Sequence, residues 1–246
     1  MTSIKIFVGT SGWLYDWNLE GTFDWYVRET GLNAVELNAS FYRLPFRNQV
    51  VSWARKSDYI RWAVKIHRYI THYARLSDKA VVFWGRFREI FAPLDEKIDY
   101  YLLQLPPSYS YSEKSLSRLK SFIEKAGVDG RIAVEFRHPS WFSFDKEKLC
   151  EELGEAIPVS VDAPGFKYYV CCKEVVYLRL HGRTSWYFHE YTENELREIV
   201  DEIVGFKPRA IYVFFNNNHW MLENARLMKS ILEETAEKFS LDWDDV

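Results

Sequence analysis

Three cysteines in 246 residues, Cys150 and the adjacent Cys171 and Cys172, form no C-x-x-C and leave an odd thiol over. Neither a disulfide framework nor a thiolate zinc site is indicated, and reduced thiols in a cytoplasmic protein are expected. The chain also lacks a charged leader followed by a long apolar stretch. No apolar run approaches the roughly 18 residues of a membrane span, so the expectation is a soluble, unprocessed protein with no membrane partner. Basic charge is not in excess: 32 Lys and Arg stand against 35 Asp and Glu, a net charge of −3 with pI near 6.1. A protein held mainly by phosphate backbones carries such an excess, so nucleic acid is not the favoured partner. No Ser or Cys sits in a G-x-S-x-G elbow, which argues against covalent acyl chemistry. Gly9-Thr10-Ser11-Gly12 lacks the G-x-G-x-x-G spacing of a dinucleotide-binding turn.

What the chain has in abundance is aromatic residues, 17% of the total, and apolar runs that end in polar residues. Eight such runs are spaced along it: Ile4 to Val8, Ala34 to Leu37, Trp62 to Ile66, Tyr100 to Leu105, Ile132 to Phe136, Pro158 to Val161, Val175 to Leu180 and Ala210 to Phe215. Helical periodicity fills most of the gaps. Thr192-Glu193-Asn194-Glu195 reads as a capping box ahead of Leu196, Ile199, Val200 and Ile203, with Gly205 as terminator. Ser112 or Ser115 caps a helix closed by Gly127, Ser77 opens one ended by Pro93, and Leu222 to Ala236 gives the last, before an acidic tail with Asp242, Asp244 and Asp245. The gap from Asp162 to Val175 is too short for a full helix, so a turn or short strand is expected there. Eight strands alternating with helices, without a linker or composition break, predict one α/β domain over 1–246. Its form would be a TIM-type (β/α)8 barrel with one helix missing or reduced after strand six.

In such a fold the strand C-termini share one rim, where catalytic groups gather. Strand two brings Glu36 and Asn38 there, strand three Lys65 and His67, strand four Gln104, and strand five Glu135 and Arg137. Strand six adds Asp162, strand seven Arg179 and His181, and strand eight Asn216. Same-strand pairs lie two residues apart and so share a face. Carboxylates and cations can also pair as a structural ladder inside a barrel, as Glu36 with Lys65 or Asp162 with Arg179. Buried ion pairs are poor stability devices, however, and so many together point to a site.

The strings Gly-Thr-Ser-Gly-Trp at 9–13, Val-Glu-Leu-Asn-Ala-Ser-Phe-Tyr-Arg-Leu-Pro at 35–45 and Leu-Gln-Leu-Pro-Pro-Ser at 103–108 form a distinctive set. So do Val-Glu-Phe-Arg-His-Pro-Ser-Trp at 134–141, Arg-Leu-His-Gly-Arg at 179–183 and Phe-Phe-Asn-Asn-Asn at 214–218. Together they resemble the YecE-like proteins, family 72 of the domains of unknown function, over nearly the full length. The resemblance implies a TIM barrel and supplies no established reaction. The family usually continues its last asparagine motif with Asp and a Gly-containing turn, where this chain has Asn218-His219-Trp220.

Lys65, Arg137 and Arg179, with Arg43 and Arg183 near the rim, balance Glu36, Glu135 and Asp162. That mixture suits a carboxylate or phosphate better than a bare metal cage. Trp13, Tyr42 and Trp141 stand among the aromatics beyond the strand ends, as walls for a ring or sugar face. The expectation is therefore an enzyme, a lyase, isomerase or hydrolase, acting on a small anionic or sugar-like molecule. Glu135 or Asp162 would serve as general acid or base, with His181 carrying a proton and Lys65 stabilising negative charge. Glu36, Asn38, His67, Gln104, Arg137, Arg179, Asn216, Tyr42, Trp13 and Trp141 would bind substrate. No cofactor and no metal ligand set is assigned, although Glu36, Glu135, Asp162, His67 and His181 could compose one. The competing readings are a metal-dependent phosphodiesterase on nucleic acid and a ligand-binding barrel without turnover.

Overall fold

The computed structural model describes residues 4–56 and 58–241, so the acidic residues Asp242, Asp244 and Asp245 lie outside the described residues. Strands and helices alternate: β1 (Lys5–Thr10), α1 (Phe23–Glu29), β2 (Ala34–Leu37), α2 (Arg47–Lys56), β3 (Arg61–Lys65), α3 (Asp78–Phe91), β4 (Ile98–Gln104), α4 (Glu113–Ala126), β5 (Ile132–Glu135), α5 (Lys146–Glu152) and β6 (Ile157–Pro158). They continue with β7 (Ser160–Ala163), β8 (Phe166–Tyr168), β9 (Val175–Leu180), α6 (Glu193–Gly205), β10 (Ala210–Phe215) and α7 (Met221–Leu241). The fold is α/β with mostly parallel strands. No helix among the described residues is long and apolar enough to cross a membrane. Two compact units divide the chain, one formed by residues 36–159 and the other by residues 1–35 and 160–246.

In the central unit β3, β4, β5 and β6 pair in sequence order and all run parallel. Lys65 lies opposite Leu102, and Gln104 opposite Glu135, so the polar strand ends come out along one edge. By register Val64, Tyr101, Leu103 and Val134 share one face of these strands, and all four are buried. On α3, Trp84, Phe87 and Phe91 recur at helical spacing, and Trp84 meets the Tyr101 ring edge-on at 5.0 Å. Each such side chain contributes roughly 1.5–3 kcal/mol by leaving water. The ends of α4 follow from its sequence. Ser112 accepts from the Ser115 N–H at the start, and Gly127 takes the left-handed conformation at the finish. Cys150 of this unit is disulfide-bonded.

In the terminal unit β10 pairs parallel with both β1 and β9, and β9 pairs parallel with β7. The start of β2 joins the other side of β1, where a Cβ on Gly9 would sit 2.2 Å from the Ala34 carbonyl oxygen. Only glycine allows that approach. Where the sequence left no room for a sixth helix, β7 turns back into the antiparallel β8. The capping box of α6 forms as expected from Thr192 and Glu195, while Gly205 ends as the last helical residue, with Phe206 as the cap. Cys172 of this unit is also disulfide-bonded, which corrects the expectation of reduced thiols: an odd count without a C-x-x-C does not exclude a bond.

Candidate functional site

Polar side chains gather at the strand ends of each unit, and each gathering has its own chemistry. In the central unit β2 runs out through Glu36, fully buried, to Asn38, which opens a short 3-10 turn over Ala39–Phe41. The Ser40 hydroxyl lies 2.8 Å from the Leu37 carbonyl and 2.6 Å from that of Lys65, tying this turn to the end of β3. Lys65 is only 7% exposed, and its ammonium sits 4.4 Å above the centre of the Phe41 ring. A ring face stabilises a cation without neutralising it.

Beyond β3 the chain makes a single π-helical turn, Tyr69–Tyr73, closed by the Ala74 N–H on the Tyr69 carbonyl at 2.7 Å. Arg75 and Leu76 then both take positive φ, 46° and 60°, which L residues with side chains rarely adopt. The wide turn brings His72 edge-on to the same Phe41 ring at 5.1 Å, with its Nδ1 2.8 Å from the Thr71 hydroxyl. Burial, the Lys65 ammonium and the Arg68 guanidinium all push the His72 imidazole below its ordinary value, so it stays neutral near pH 7. His67 is held down by burial and by Arg68, against a hydrogen bond to the Tyr42 backbone that favours its charged form. Its Nδ1 accepts from the Tyr69 N–H at 3.1 Å. Arg68 also covers the exposed Tyr42 ring at 5.5 Å.

One strand further along, Glu135 is fully buried, with the Arg137 guanidinium 2.6 Å from its carboxylate. Arg137 also donates to the Gln104 side-chain oxygen at 3.4 Å. Trp141 packs inward, 1% exposed, stacked on Phe136 at 4.4 Å and donating its indole N–H to the Tyr109 carbonyl at 2.7 Å. Its ring is a core element.

The terminal unit centres on Asp162, fully buried at the end of β7. Its carboxylate accepts from the Tyr191 hydroxyl at 2.9 Å, from the Tyr169 hydroxyl, and from Arg183 Nε at 3.2 Å. Burial and the Asp162 charge drive both tyrosine pKa values far above the ordinary range, so each phenol remains a donor. Arg183 is anchored a second time, Nη1 to Glu198 at 2.7 Å; burial opposes its charge, but Glu198 and Asp162 hold it protonated. Next along β9, Arg179 and His181 are fully buried. The Asn216 amide lies 3.2 Å from His181 Nδ1. With the amide as donor, the imidazole is the neutral tautomer with its proton on Nε2. Trp186 and Tyr187 lie over that ring at 5.4 and 5.9 Å. Trp13 is buried against Phe23, at 4.9 Å.

The strand-end residues expected from the sequence thus fall into two sets, Glu36, Asn38, Lys65, His67, Gln104, Glu135 and Arg137 in one unit and Asp162, Arg179, His181 and Asn216 in the other. His72, Arg68 and Tyr169 are additions that no alternation pattern marks, because His72 sits on a π turn, Arg68 just before it and Tyr169 beyond a hairpin. Among the described residues no three His, Cys, Asp or Glu come together as metal ligands would.

A search of curated proteins finds no match. Among solved structures, a protein of the DUF72 family from Thermotoga maritima superposes with a TM-score of 0.75 at 26% identity, covering 95% of this chain and 99% of that one. Two structures of a DUF72 family protein from Enterococcus faecalis give TM-scores of 0.79 and 0.78 at 20% and 22% identity. They cover 93% and 95% of this chain and 95% and 99% of theirs. The sequence profile described as "Protein of unknown function DUF72" matches residues 7–244, and the chain belongs to that family, the one its strand-end motifs resemble.

Proposed function

We propose that the protein is an enzyme acting on a small anionic or sugar-like molecule by general acid/base chemistry at the strand ends of the central unit. One observation carries this reading: a nearly buried ammonium, Lys65, and a neutral imidazole, His72, share the Phe41 ring, with Arg68 acting on the same imidazole. An ammonium and a guanidinium bind a phosphate or carboxylate. An imidazole kept unprotonated can then accept a proton from the bound molecule while Lys65 offsets the negative charge that develops. Glu135, oriented by Arg137, is the second proton-transfer group of this reading, with Glu36, Asn38, Gln104 and Tyr42 as substrate contacts. In the terminal unit, Asp162 serves as the shared acceptor that orders Tyr169, Tyr191 and Arg183. His181 there serves as a hydrogen-bond donor through Nε2. We propose the (β/α)8 arrangement as well; its support is that β3 to β6 pair in sequence order and run parallel, and that β7, β9 and β10 are parallel neighbours once the antiparallel hairpin strand β8 is set aside.

The test is a panel of sugar phosphates and hydroxy acids titrated into the protein by calorimetry, followed by turnover assays on any binder. Lys65→Met should weaken binding about tenfold or more, the loss of one charge-assisted contact. His72→Gln should retain binding and lose turnover. A binder unaffected by Lys65→Met would sink the site, and a binder never turned over would leave a ligand-binding protein.

A further inference from the structure

We infer that the cleft between α3 and α4 is a second anion site, taking a small ligand that carries two or more phosphate groups. The cleft is an open concavity of about 350 Å³, within the range of small-molecule sites. Along α4, Lys114, Ser117, Arg118, Ser121 and Lys125 all line it. Their spacing of three, four and seven residues sets them in one stripe about 16 Å long. Lys114 and Arg118, four residues apart, are like charges on neighbouring turns, an arrangement that destabilises a helix unless something of opposite charge lies across it. Neither makes an ion pair among the described residues.

Across the cleft stands the first turn of α3, a helix of 14 residues. Ser77 occupies its N-cap position, but its side chain makes no capping bond and belongs to the cleft lining. The only carboxylate in the lining is Asp78, bonded to Lys125 at 2.9 Å and 93% exposed. Three cations against one carboxylate leave the cleft positive in a chain whose net charge is −3. Arg75, just before α3, adds to the same field: it and Arg118 both act on the Tyr109 hydroxyl. Hydroxyl donors interleaved with cations at successive turns match successive phosphoryl groups better than one carboxylate. This inference does not depend on the chemistry proposed for Lys65 and His72.

The experiment is isothermal titration with inorganic tripolyphosphate at low salt. Wild-type protein should bind it, more weakly as salt rises. Lys114→Met with Arg118→Met should weaken binding about tenfold or more, while Lys148→Met, an exposed lysine outside the cleft, should leave it unchanged. Lys65→Met separates the two anion sites: if it abolishes tripolyphosphate binding and the α4 double variant does not, the ligand sits at the strand ends and the cleft inference is wrong. Absence of binding overturns it too. So does tighter binding of a single-stranded DNA of about 20 nucleotides, which would make the stripe a backbone track.

Discussion

The Tyr191 hydroxyl stands between Gly182 and Asp162, accepting the Gly182 N–H at 2.9 Å and donating to the buried Asp162 carboxylate at 2.9 Å. One phenol thereby fixes the turn after β9 and hydrogen-bonds a carboxylate that is fully buried. Its removal leaves a buried N–H unsatisfied and the carboxylate one donor short. Tyr191→Phe should lower stability by about 1–3 kcal/mol, read from the urea midpoint. An unchanged midpoint would mean the donor is replaced from elsewhere.

Gly182 itself has φ near 105°, and a Cβ there would lie 2.5 Å from the Ser185 carbonyl oxygen and 2.8 Å from the His189 Cβ. Gly182→Ala must therefore shift the loop as well as strain its own backbone, and a loss of about 3 kcal/mol or more is expected. Gly31 has φ near 70° but nothing within 4 Å of its Cβ position, so Gly31→Ala should lose only about 1 kcal/mol. Equal losses from the two would show that contact in the loop is relaxed at no cost.

His67 and His72 both have folded pKa values below the ordinary 6.5. As pH falls below that value the unfolded chain takes up protons first, so the stabilisation present above it is lost until the folded imidazoles titrate. Lowered carboxylates such as Asp95, ordinarily 3.8, act only at more acid pH. Urea midpoints should therefore fall as pH drops through the ordinary imidazole value of 6.5, and His72→Gln should flatten part of that slope. A variant with an undiminished slope would place the titration on another group.

Glu135 tests whether the strand-end charges are chemistry or scaffold. Glu135→Gln keeps shape and one hydrogen-bond acceptor opposite Arg137. Binding of the panel ligand should survive and turnover should disappear, with thermal stability within a few degrees of wild type. A loss of about 3–5 kcal/mol, the signature of a broken buried pair, would instead assign Glu135 to the scaffold.

Where local rules act alone, the chain was readable. The runs at Ala34–Leu37, Val175–Leu180 and Ala210–Phe215 match their strands end to end, because polar or glycine-containing segments bound each apolar run. Thr192 and Ser112 cap the helices they precede. The sixth run was read as one strand from Pro158 to Val161, yet β6 ends at Pro158 and β7 begins at Ser160. The Ser160 hydroxyl pairs with the Val170 backbone, a contact across ten residues that no alternation pattern records. His72 escaped for a related reason: strand periodicity stops at Lys65, and no 3.6-residue pattern describes a π turn. The burial of Trp13 and Trp141 was likewise invisible, since a tryptophan after a strand reads the same whether its ring faces solvent or core.

The π turn at Tyr69–Tyr73 holds one residue more than an α turn closing the same span would. His72 thus meets Phe41 and the field of Lys65 by chain length as much as by residue type. Removing one residue from 69–73 would carry the imidazole about 100° around the turn axis. Among related chains the local length is therefore the trait to compare first: a histidine aligned with His72 in a chain one residue shorter here would not face the same lysine.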